Sequence, residues 1–272
     1  MVLVHYQCFK FQACIHQRPE PMNSHPTAAM TGYPRWKTVI SDALSKYPRS
    51  VVFQLATVDD TNPLEPQVRS HIFRGFITPP SSTSKHLPVL LLTSTDIRTP
   101  KVKQMMANPH VQIHWYIEDT REQFRIAGLG RIIPSPEYKY LCTGDSKVLA
   151  EEGFDWEAKR VSVFKSLSPH MRASWCRPPP GSILENPEEE MKRWPPRVDV
   201  PGEEQNEDGS LVSDEDKQRN KENWETALSR FALVLIDPKG VDYLNMGVVP
   251  NRRYMFRKGE EEGEWGEMEI VA

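Results

Sequence analysis

The most informative local pattern in the chain is the sequence Thr99-Pro100-Lys101, where a strand-like segment gives way to a helical one. Proline at the first helical position follows a threonine suited to the N-cap, and the lysine lies in the first turn. Free backbone N–H groups, a hydroxyl and an ammonium would converge there at the positive end of a helix, which predicts a phosphate-binding site. The same three residues also begin many ordinary capped helices, and on this pattern alone that interpretation is the simpler one.

Other candidate residues are polar side chains within predicted strands. Arg69 and Arg74 fall in one strand-like segment, and guanidinium groups are well suited to bind phosphate or carboxylate in a bidentate manner. Their odd separation predicts opposite faces of that strand, so one of them could equally be a surface charge. Gln123 begins a further strand, where its amide could reach the polar edge of a flat ring or simply face solvent.

The elements that must position these residues follow from residue spacing. Apolar residues at helical spacing predict helices over 34–46, 137–149 and 156–167, with a short helix after Thr99 that ends at Asn108-Pro109. Alternation or short apolar runs predict strands over 50–60, 67–77, 87–95, 111–117, 123–133, 231–236, 241–245, 252–257 and 264–270. Many short strands joined by hairpin turns favour a mainly β fold, a barrel with helices outside it, over a parallel sheet.

The overall composition limits the classes of function. A net charge of -3 does not indicate the basic surface of a general nucleic-acid binder, and the longest apolar run, 231–236, is too short to cross a membrane. Four cysteines without paired spacing favour reduced thiols in an intracellular, most simply cytoplasmic, protein. GxGxxG, P-loop and GxSxG motifs are absent, which disfavours Rossmann, P-loop and hydrolase chemistry, and no metal site is predicted.

Two regions are predicted to lie outside the folded core. Residues 1–29 are irregular and predict a disordered extension, although the scarcity of acidic residues leaves a mitochondrial leader open. Residues 30–272 are predicted to form a single domain, interrupted at about 185–223 by an acidic segment that is too polar to bury and predicts a mobile insertion.

The order and spacing of the site candidates resemble one known family. The chain resembles the pyridoxamine 5'-phosphate oxidase-like flavoproteins, and within them the subgroup named after the cyanobacterial member Alr4036. The family's arginine-containing strand, helix start, Asn-Pro turn and glutamine-to-glycine strand correspond in order to Arg69 to Arg74, Thr99 to Lys101, Asn108-Pro109 and Gln123 to Gly128. The resemblance runs from about Tyr33 to the C-terminus.

This resemblance implies a six-stranded split β-barrel that forms a homodimer and binds flavin mononucleotide (FMN) where two subunits meet. It implies that Arg69, Thr99 and Lys101 hold the FMN phosphate and that Gln123 contacts the isoalloxazine edge. Further cofactor-pocket residues that it implies are Arg74, Arg172, Trp175, Ser182 and Arg253.

The resemblance also implies an FMN-dependent oxidoreductase, with pyridoxamine or pyridoxine 5'-phosphate as candidate substrates. The chain departs from the full oxidases near its C-terminus, where Asn251-Arg252-Arg253-Tyr254 lacks the family's histidine, and at Arg74, which replaces a lysine. These departures favour FMN binding over vitamin B6 oxidation and leave an alternative open, a flavin-binding or structural dimer without turnover. No catalytic base is identified from the sequence.

Overall fold

The structure is a computed structural model, and it describes residues 33–59, 63–77, 89–142, 154–204, 212–260 and 264–272. The α-helices are α1 (Arg35–Lys46), α2 (Pro100–Ala107), α3 (Trp156–Lys165), α4 (Pro169–Ala173), α5 (Pro187–Lys192) and α6 (Asp214–Arg230). The strands are β1 (Val52–Asp59), β2 (Glu65–Ile72), β3 (Gly75–Ile77), β4 (Leu90–Asp96), β5 (His110–Ile117), β6 (Glu122–Ile133), β7 (Phe231–Asn245), β8 (Arg252–Lys258) and β9 (Trp265–Ile270). The predicted disordered extension, residues 1–29, lies outside the described residues.

All strand pairings in the described part of the chain are antiparallel. The sheet runs in the order β2-β1-β5-β6-β7-β4-β3, and β8 pairs with both β7 and β9. Because β2 and β3 are consecutive in the chain, the two ends of this order meet and the sheet curls into a barrel. The Arg74 N–H donates to the Leu92 carbonyl, 2.7 Å away, at this closure. The mainly β fold with flanking helices agrees with the prediction.

A β-bulge in β7 explains how the barrel splits. The sequence predicts two strands separated by a turn at Asp237-Pro238-Lys239-Gly240, and this is wrong: β7 is continuous. Ala127 pairs with Gly240 and Gly128 with Pro238, so one extra residue bulges from β7. Proline is tolerated at such a bulge because it has no N–H to donate to a ladder. The first half of β7 therefore pairs with β4, and the second half pairs with β8.

The predicted strand over 67–77 is in fact two strands. β2 ends at Ile72, and Phe73 and Arg74 link it to β3. Gly75 has φ +132°, a conformation that residues with a side chain rarely adopt. The chain therefore changes partner here, from β1 to β4, and Arg74 does not share a regular strand with Arg69.

Two hydrophobic clusters lie on opposite sides of the sheet. The barrel interior is filled by fully buried side chains that include Trp36, Phe53, Leu55, Ile113 and Trp115. The second cluster packs α3, α4 and α6 against the outside of β4 and β7, and its large members are Phe164, Trp175, Trp224 and Phe231. Burial of these large apolar surfaces is the main stabilising contribution in both clusters.

The acidic segment predicted over 185–223 has more structure than its composition indicates. Its described residues contain α5 and the first part of α6, and Val198 is fully buried. Ser213 caps α6, whose first turn is acidic, so the charges that disfavour burial stabilise a helix start instead. The predicted helix over 137–149 is also corrected, because a 3-10 helix covers Pro136–Leu141 and residues 143–149 lie outside the described residues. None of the described helices is long and apolar enough to cross a membrane.

Candidate functional site

The start of α2 follows β4 through a tight turn and carries two of the predicted site residues. Thr99 is the N-cap and Pro100 the first helical residue, as predicted, but the threonine hydroxyl makes no capping hydrogen bond. It donates instead to the Asp96 carbonyl at 2.7 Å. Lys101 turns back toward the end of β4, and its Nζ donates to Thr95 Oγ1 at 3.2 Å and to Thr99 Oγ1 at 3.4 Å. The ammonium is thereby fixed beside two hydroxyl groups.

Close packing against β6 holds α2 in this position. A Cβ atom on Gly130 would lie 2.8 Å from Met105 Sδ, so a larger residue there would force the Met105 side chain to move. Val102 and Met105 are buried in the barrel interior on the same side of α2. The position of Lys101 therefore depends on the barrel core and not only on the local sequence.

Arg69 reaches the same region from β2. It pairs with Leu55 and so lies on the barrel side of its strand. Its guanidinium donates to Thr57 Oγ1 at 2.5 Å, to Gln104 Oε1 at 3.1 Å and to the Leu55 carbonyl at 3.4 Å. Gln104 is oriented by its own Nε2, which donates to Asp59 Oδ2 at 3.0 Å. Neutral oxygen atoms thus position Arg69 without neutralising its charge.

His71 is a third residue of this group, and sequence reasoning missed it. It lies two residues after Arg69, so the alternation of the strand places both side chains on one face, which is a signal the sequence contains. The side chain is 6% exposed and stacks on Phe53. Its Nδ1 lies 3.1 Å from Thr93 Oγ1, whereas its Nε2 is buried without a hydrogen-bond partner.

The electrostatics of this group are those of an anion site. Burial, and then the charge of Arg69, lower the pKa of Lys101 to about 8, although Asp96 opposes the shift. Burial, Lys101 and Arg69 lower the pKa of His71 to about 3, so this ring is neutral at ordinary pH. Asp96 forms an ion pair with Arg98, whose Nε and Nη2 donate to the carboxylate at 2.9 and 2.6 Å.

Within the described residues, no carboxylate lies within ion-pair distance of Arg69 or Lys101. We define Arg69, Thr95, Thr99 and Lys101 as the cation cluster. Two half-buried cations without an ion-pair partner among the described residues, together with two hydroxyl groups, fit the phosphate of a bound ligand.

Comparison with known proteins relates this part of the chain to a described ligand-binding domain. Residues 33–134 match the family model described as "Pyridoxamine 5'-phosphate oxidase, FMN-binding domain". This part of the chain is therefore similar to an FMN-binding domain of that family. The match extends from the residues before α1 through β6, so it includes all members of the cation cluster.

Two similar proteins cover most of the chain. The pyridoxine/pyridoxamine 5'-phosphate oxidase 2 of Arabidopsis thaliana is 26% identical over 226 residues, which are 81% of this chain and 87% of that protein. The solved structure of a pyridoxamine 5'-phosphate oxidase-related, FMN-binding protein from Nostoc punctiforme superposes with a TM-score of 0.60 and 24% identity. That superposition covers 88% of this chain and 98% of the other, and it confirms the split-barrel fold. Membership of the Alr4036 subgroup stays a prediction.

Within a single copy of the chain, Gln123 does not lie with the cation cluster. Its neighbour Phe124 pairs with Trp115 inside the barrel, so Gln123, which pairs with the exposed Tyr116, lies on the outer face of β6. Arg69 lies on the inner face of the same curled sheet. The two predicted FMN contacts of a single chain are therefore separated by the sheet.

Arg253 is also on the outer face, where a carboxylate binds it. Its Nε and Nη2 donate to the two oxygens of Asp242 at 2.9 and 2.7 Å, and Arg125 Nη2 donates to the same carboxylate at 2.6 Å. These arginines, with Arg253 first, lower the pKa of Asp242. The predicted second contact of Arg253 with FMN or phosphate stays a prediction, and within this chain Arg253 makes an ion pair.

The three predicted residues after β6 lie with the second hydrophobic cluster. Arg172 donates to the carbonyls of Val198, Leu167 and Lys165 at 2.6 to 2.9 Å and so links α4 to neighbouring loops. Trp175 is buried, and Ser182 is exposed on a proline-rich loop. Trp175 and Ser182 line one cavity of about 360 Å³ that also reaches Asp96 at the end of β4. Cofactor roles for these three residues stay predictions.

Arg74 lies where β2 passes into β3. It is half-buried, burial lowers its pKa, and its Nε has no hydrogen-bond partner. It makes no ion pair with the described residues. Among those residues there is also no group of three or more His, Cys, Asp or Glu side chains that could hold a metal ion.

Proposed function

We propose that the phosphate of FMN binds at the cation cluster and that the chain is an FMN-dependent oxidoreductase. The observation that carries the proposal is that two half-buried cations, Arg69 and Lys101, form hydrogen bonds only with neutral oxygens among the described residues. FMN supplies the electron and hydride chemistry in such proteins, while the protein binds and orients it. The residues of this chain would accordingly act by positioning.

Each member of the cation cluster has a distinct part in the proposed binding. Arg69 offers N–H donors in a planar fork, which suits two phosphate oxygens, and the polar contacts of Thr57 and Gln104 hold that fork in place. Lys101 offers a single compact charge at the N-terminal end of α2. Thr95 and Thr99 hold the ammonium so that little side-chain freedom is lost when phosphate binds.

The test of this site is the affinity for FMN and for riboflavin, which lacks the phosphate. We expect Arg69→Ala and Lys101→Ala to weaken FMN binding by about 10- to 100-fold, the effect of a lost charge-assisted hydrogen bond, and to leave riboflavin binding nearly unchanged. Released cofactor and the absorbance from roughly 300 to 550 nm report occupancy of the purified protein. Equal weakening of both flavins would contradict a phosphate role.

We further propose that FMN lies between two copies of the chain, with Gln123 of one copy at the flavin held by the cation cluster of the other. This accounts for the position of Gln123 on the face of the sheet opposite Arg69. The outer face is polar and open, since His114 and Gln112 of β5 are exposed beside Gln123. A homodimer with two shared sites follows from this arrangement.

Mixed dimers test the sharing directly. A Lys101→Ala copy paired with a Gln123→Ala copy would have one intact site and one doubly altered site. We expect the mixed dimer to recover about half of the FMN sites, whereas each variant alone shows weak binding at both. No recovery would mean that both residues serve the same copy, whereas full FMN binding by the Gln123→Ala variant alone would mean that Gln123 has no part in binding.

The proposed substrates are pyridoxamine and pyridoxine 5'-phosphate, supported by the Arabidopsis relative. Arg74 is the candidate for a substrate contact, because it is half-buried, lies near the cation cluster in sequence, and has no carboxylate partner among the described residues. Turnover is measured as oxygen consumption and pyridoxal phosphate formation by the FMN-loaded protein. An Arg74→Ala variant should raise KM with little change in FMN affinity.

A second candidate function is FMN binding without turnover. The bidentate ion pair between Arg253 and Asp242 favours it, because an arginine already held by a carboxylate is poorly available to a substrate phosphate. Stoichiometric FMN together with no detectable oxidation of either phosphate ester would support this candidate. Turnover with either ester would exclude it.

A further inference from the structure

We propose that His71 is a neutral hydrogen-bond acceptor for a hydroxyl group that lies next to the phosphate of the bound ligand. The inference deepens the proposed function and rests on phosphate binding at Arg69 and Lys101. The ligand class it names is a polyol phosphate ester, of which the ribityl phosphate of FMN is one.

The hydrogen bonds around the imidazole determine which nitrogen carries the proton. Thr93 Oγ1 donates its single hydrogen to the Ile72 carbonyl, 2.8 Å away. It must therefore accept a hydrogen bond from His71 Nδ1, which lies 3.1 Å from it. In the neutral ring Nε2 is then the unprotonated nitrogen, an acceptor with a free lone pair.

This acceptor is buried and has no partner. The side chain of His71 is 6% exposed, and Nε2 has no hydrogen-bond partner in the protein. The groups that face the ring from the packed elements are Phe53 of β1, Thr93 of β4, Lys101 of α2 and Arg69 of β2. Buried acceptors without a partner are uncommon and costly, which points to a donor from a ligand.

The chemistry of the neighbours limits what that donor can be. Arg69 lies two residues before His71 on the same face of β2. Lys101 binds Thr95, which lies two residues after the Thr93 that binds the imidazole. A phosphate bound to the two cations therefore lies close to the ring. A phosphate dianion has acceptor oxygens only and cannot donate to Nε2. A hydroxyl on the carbon chain beside the phosphate ester can donate, because it lies within a few bonds of the phosphate.

The experiment combines a change in the ligand with a change in the residue. The ligands are FMN and a flavin whose N10 chain is 5-phosphopentyl, which keeps the phosphate and lacks the hydroxyls. The proteins are the wild type, His71→Phe, which keeps the stack on Phe53, and His71→Gln, which keeps an acceptor. His110→Phe, at an exposed histidine of β5, is the matched control.

We expect the preference of the wild type for FMN over the pentyl analogue to fall roughly 3- to 10-fold in His71→Phe, the effect of one neutral hydrogen bond. His71→Gln should recover part of this preference, and His110→Phe should keep all of it. An unchanged preference in both His71 variants would overturn the inference. If His71→Phe does not fold, the same comparison is made with His71→Gln and a His71→Leu variant.

Proton uptake separates this role from a charged one. Calorimetric titration with FMN near neutral pH, in buffers of different ionisation enthalpy, counts the protons bound. Equal uptake by the wild type and His71→Phe is expected for a neutral acceptor. One additional proton in the wild type would mean that His71 binds the phosphate as a cation, which overturns the inference. If Lys101→Ala no longer prefers FMN over riboflavin, the phosphate site is correct. An unchanged preference in the His71 variants would then contradict only the role of His71.

Discussion

Replacing Lys101 by methionine should stabilise the FMN-free protein while it weakens FMN binding. Burial and Arg69 lower the pKa of Lys101 from 10.5 to about 8, so the folded state disfavours the charged ammonium. Each pKa unit corresponds to about 1.4 kcal/mol, so this charge costs the folded state roughly 3 kcal/mol at neutral pH. Solvent screening and the two lost hydrogen bonds to threonine reduce the expected gain to about 1–3 kcal/mol.

The sign of the effect can be checked against pH. Lys101 is protonated in both states below about pH 8, and there the destabilisation is complete. Between pH 8 and 10.5 the folded protein loses this proton first, so the wild type gains stability with rising pH and the advantage of Lys101→Met shrinks. Other groups that titrate in this range are the same in both proteins and cancel in the difference.

Urea unfolding of the FMN-free proteins at neutral pH and near pH 10 measures this difference. Lys103→Met, at an exposed position of the same helix, is the control, because lysine and methionine have similar helix propensities. We expect no gain in stability for the control and full retention of FMN binding. A Lys101→Met protein that is less stable than the wild type, or a difference that does not depend on pH, would refute the assignment of Lys101 as a buried, uncompensated charge.

Three further outcomes are expected. FMN affinity should fall as pH rises above about 8, where free Lys101 is neutral; a fluorescence titration that shows no fall would contradict this. The pKa of His71 in the folded protein is about 3, below the ordinary value of 6.5. The wild type should therefore lose up to about 1 kcal/mol of stability per pH unit as the pH falls from 6.5 to 3. Acid unfolding of His71→Phe should not show this loss. Gly128→Ala should destabilise the fold by about 1–3 kcal/mol in urea unfolding, because the new Cβ would lie 2.6 Å from the Asp237 carbonyl oxygen. Gly266→Ala is the control and should destabilise less, because the nearest atom to its Cβ would be 4.0 Å away.

The helix start that carries Lys101 could be predicted from sequence because its determinants are local. Threonine, proline and lysine at consecutive positions select the N-cap and first turn without help from distant residues. The division of β7 could not be predicted in the same way. Proline and glycine favour a turn and a bulge alike, and only the register against Ala127 and Gly128 decides between them.

His71 was missed because a lone histidine in a strand more often belongs to the core than to a site. Strand alternation does imply that it shares a face with Arg69, because the two residues are two positions apart. His71 is a candidate site residue because its Nε2 is a buried acceptor without a hydrogen-bond partner. Which of the two nitrogens is the acceptor depends on Thr93, a residue from a different strand. Hydrogen-bond satisfaction is a property of the folded chain and has no sequence pattern.

The partners of the cationic side chains separate structural residues from candidate site residues more sharply than residue type does. Arg253 and Arg98 each bind a carboxylate in the folded chain, which accounts for their charge without any ligand. Arg69 and Lys101 bind neutral oxygens and lie where burial disfavours their charge. Charges removed from water without an ion-pair partner destabilise the folded state. Apolar residues at these two positions would therefore stabilise the fold, unless a bound anion compensates the cost of the charges. In the described part of the chain, no carboxylate lies within ion-pair distance of these two residues. This is the structural argument for the proposal that the anion is the phosphate of the cofactor.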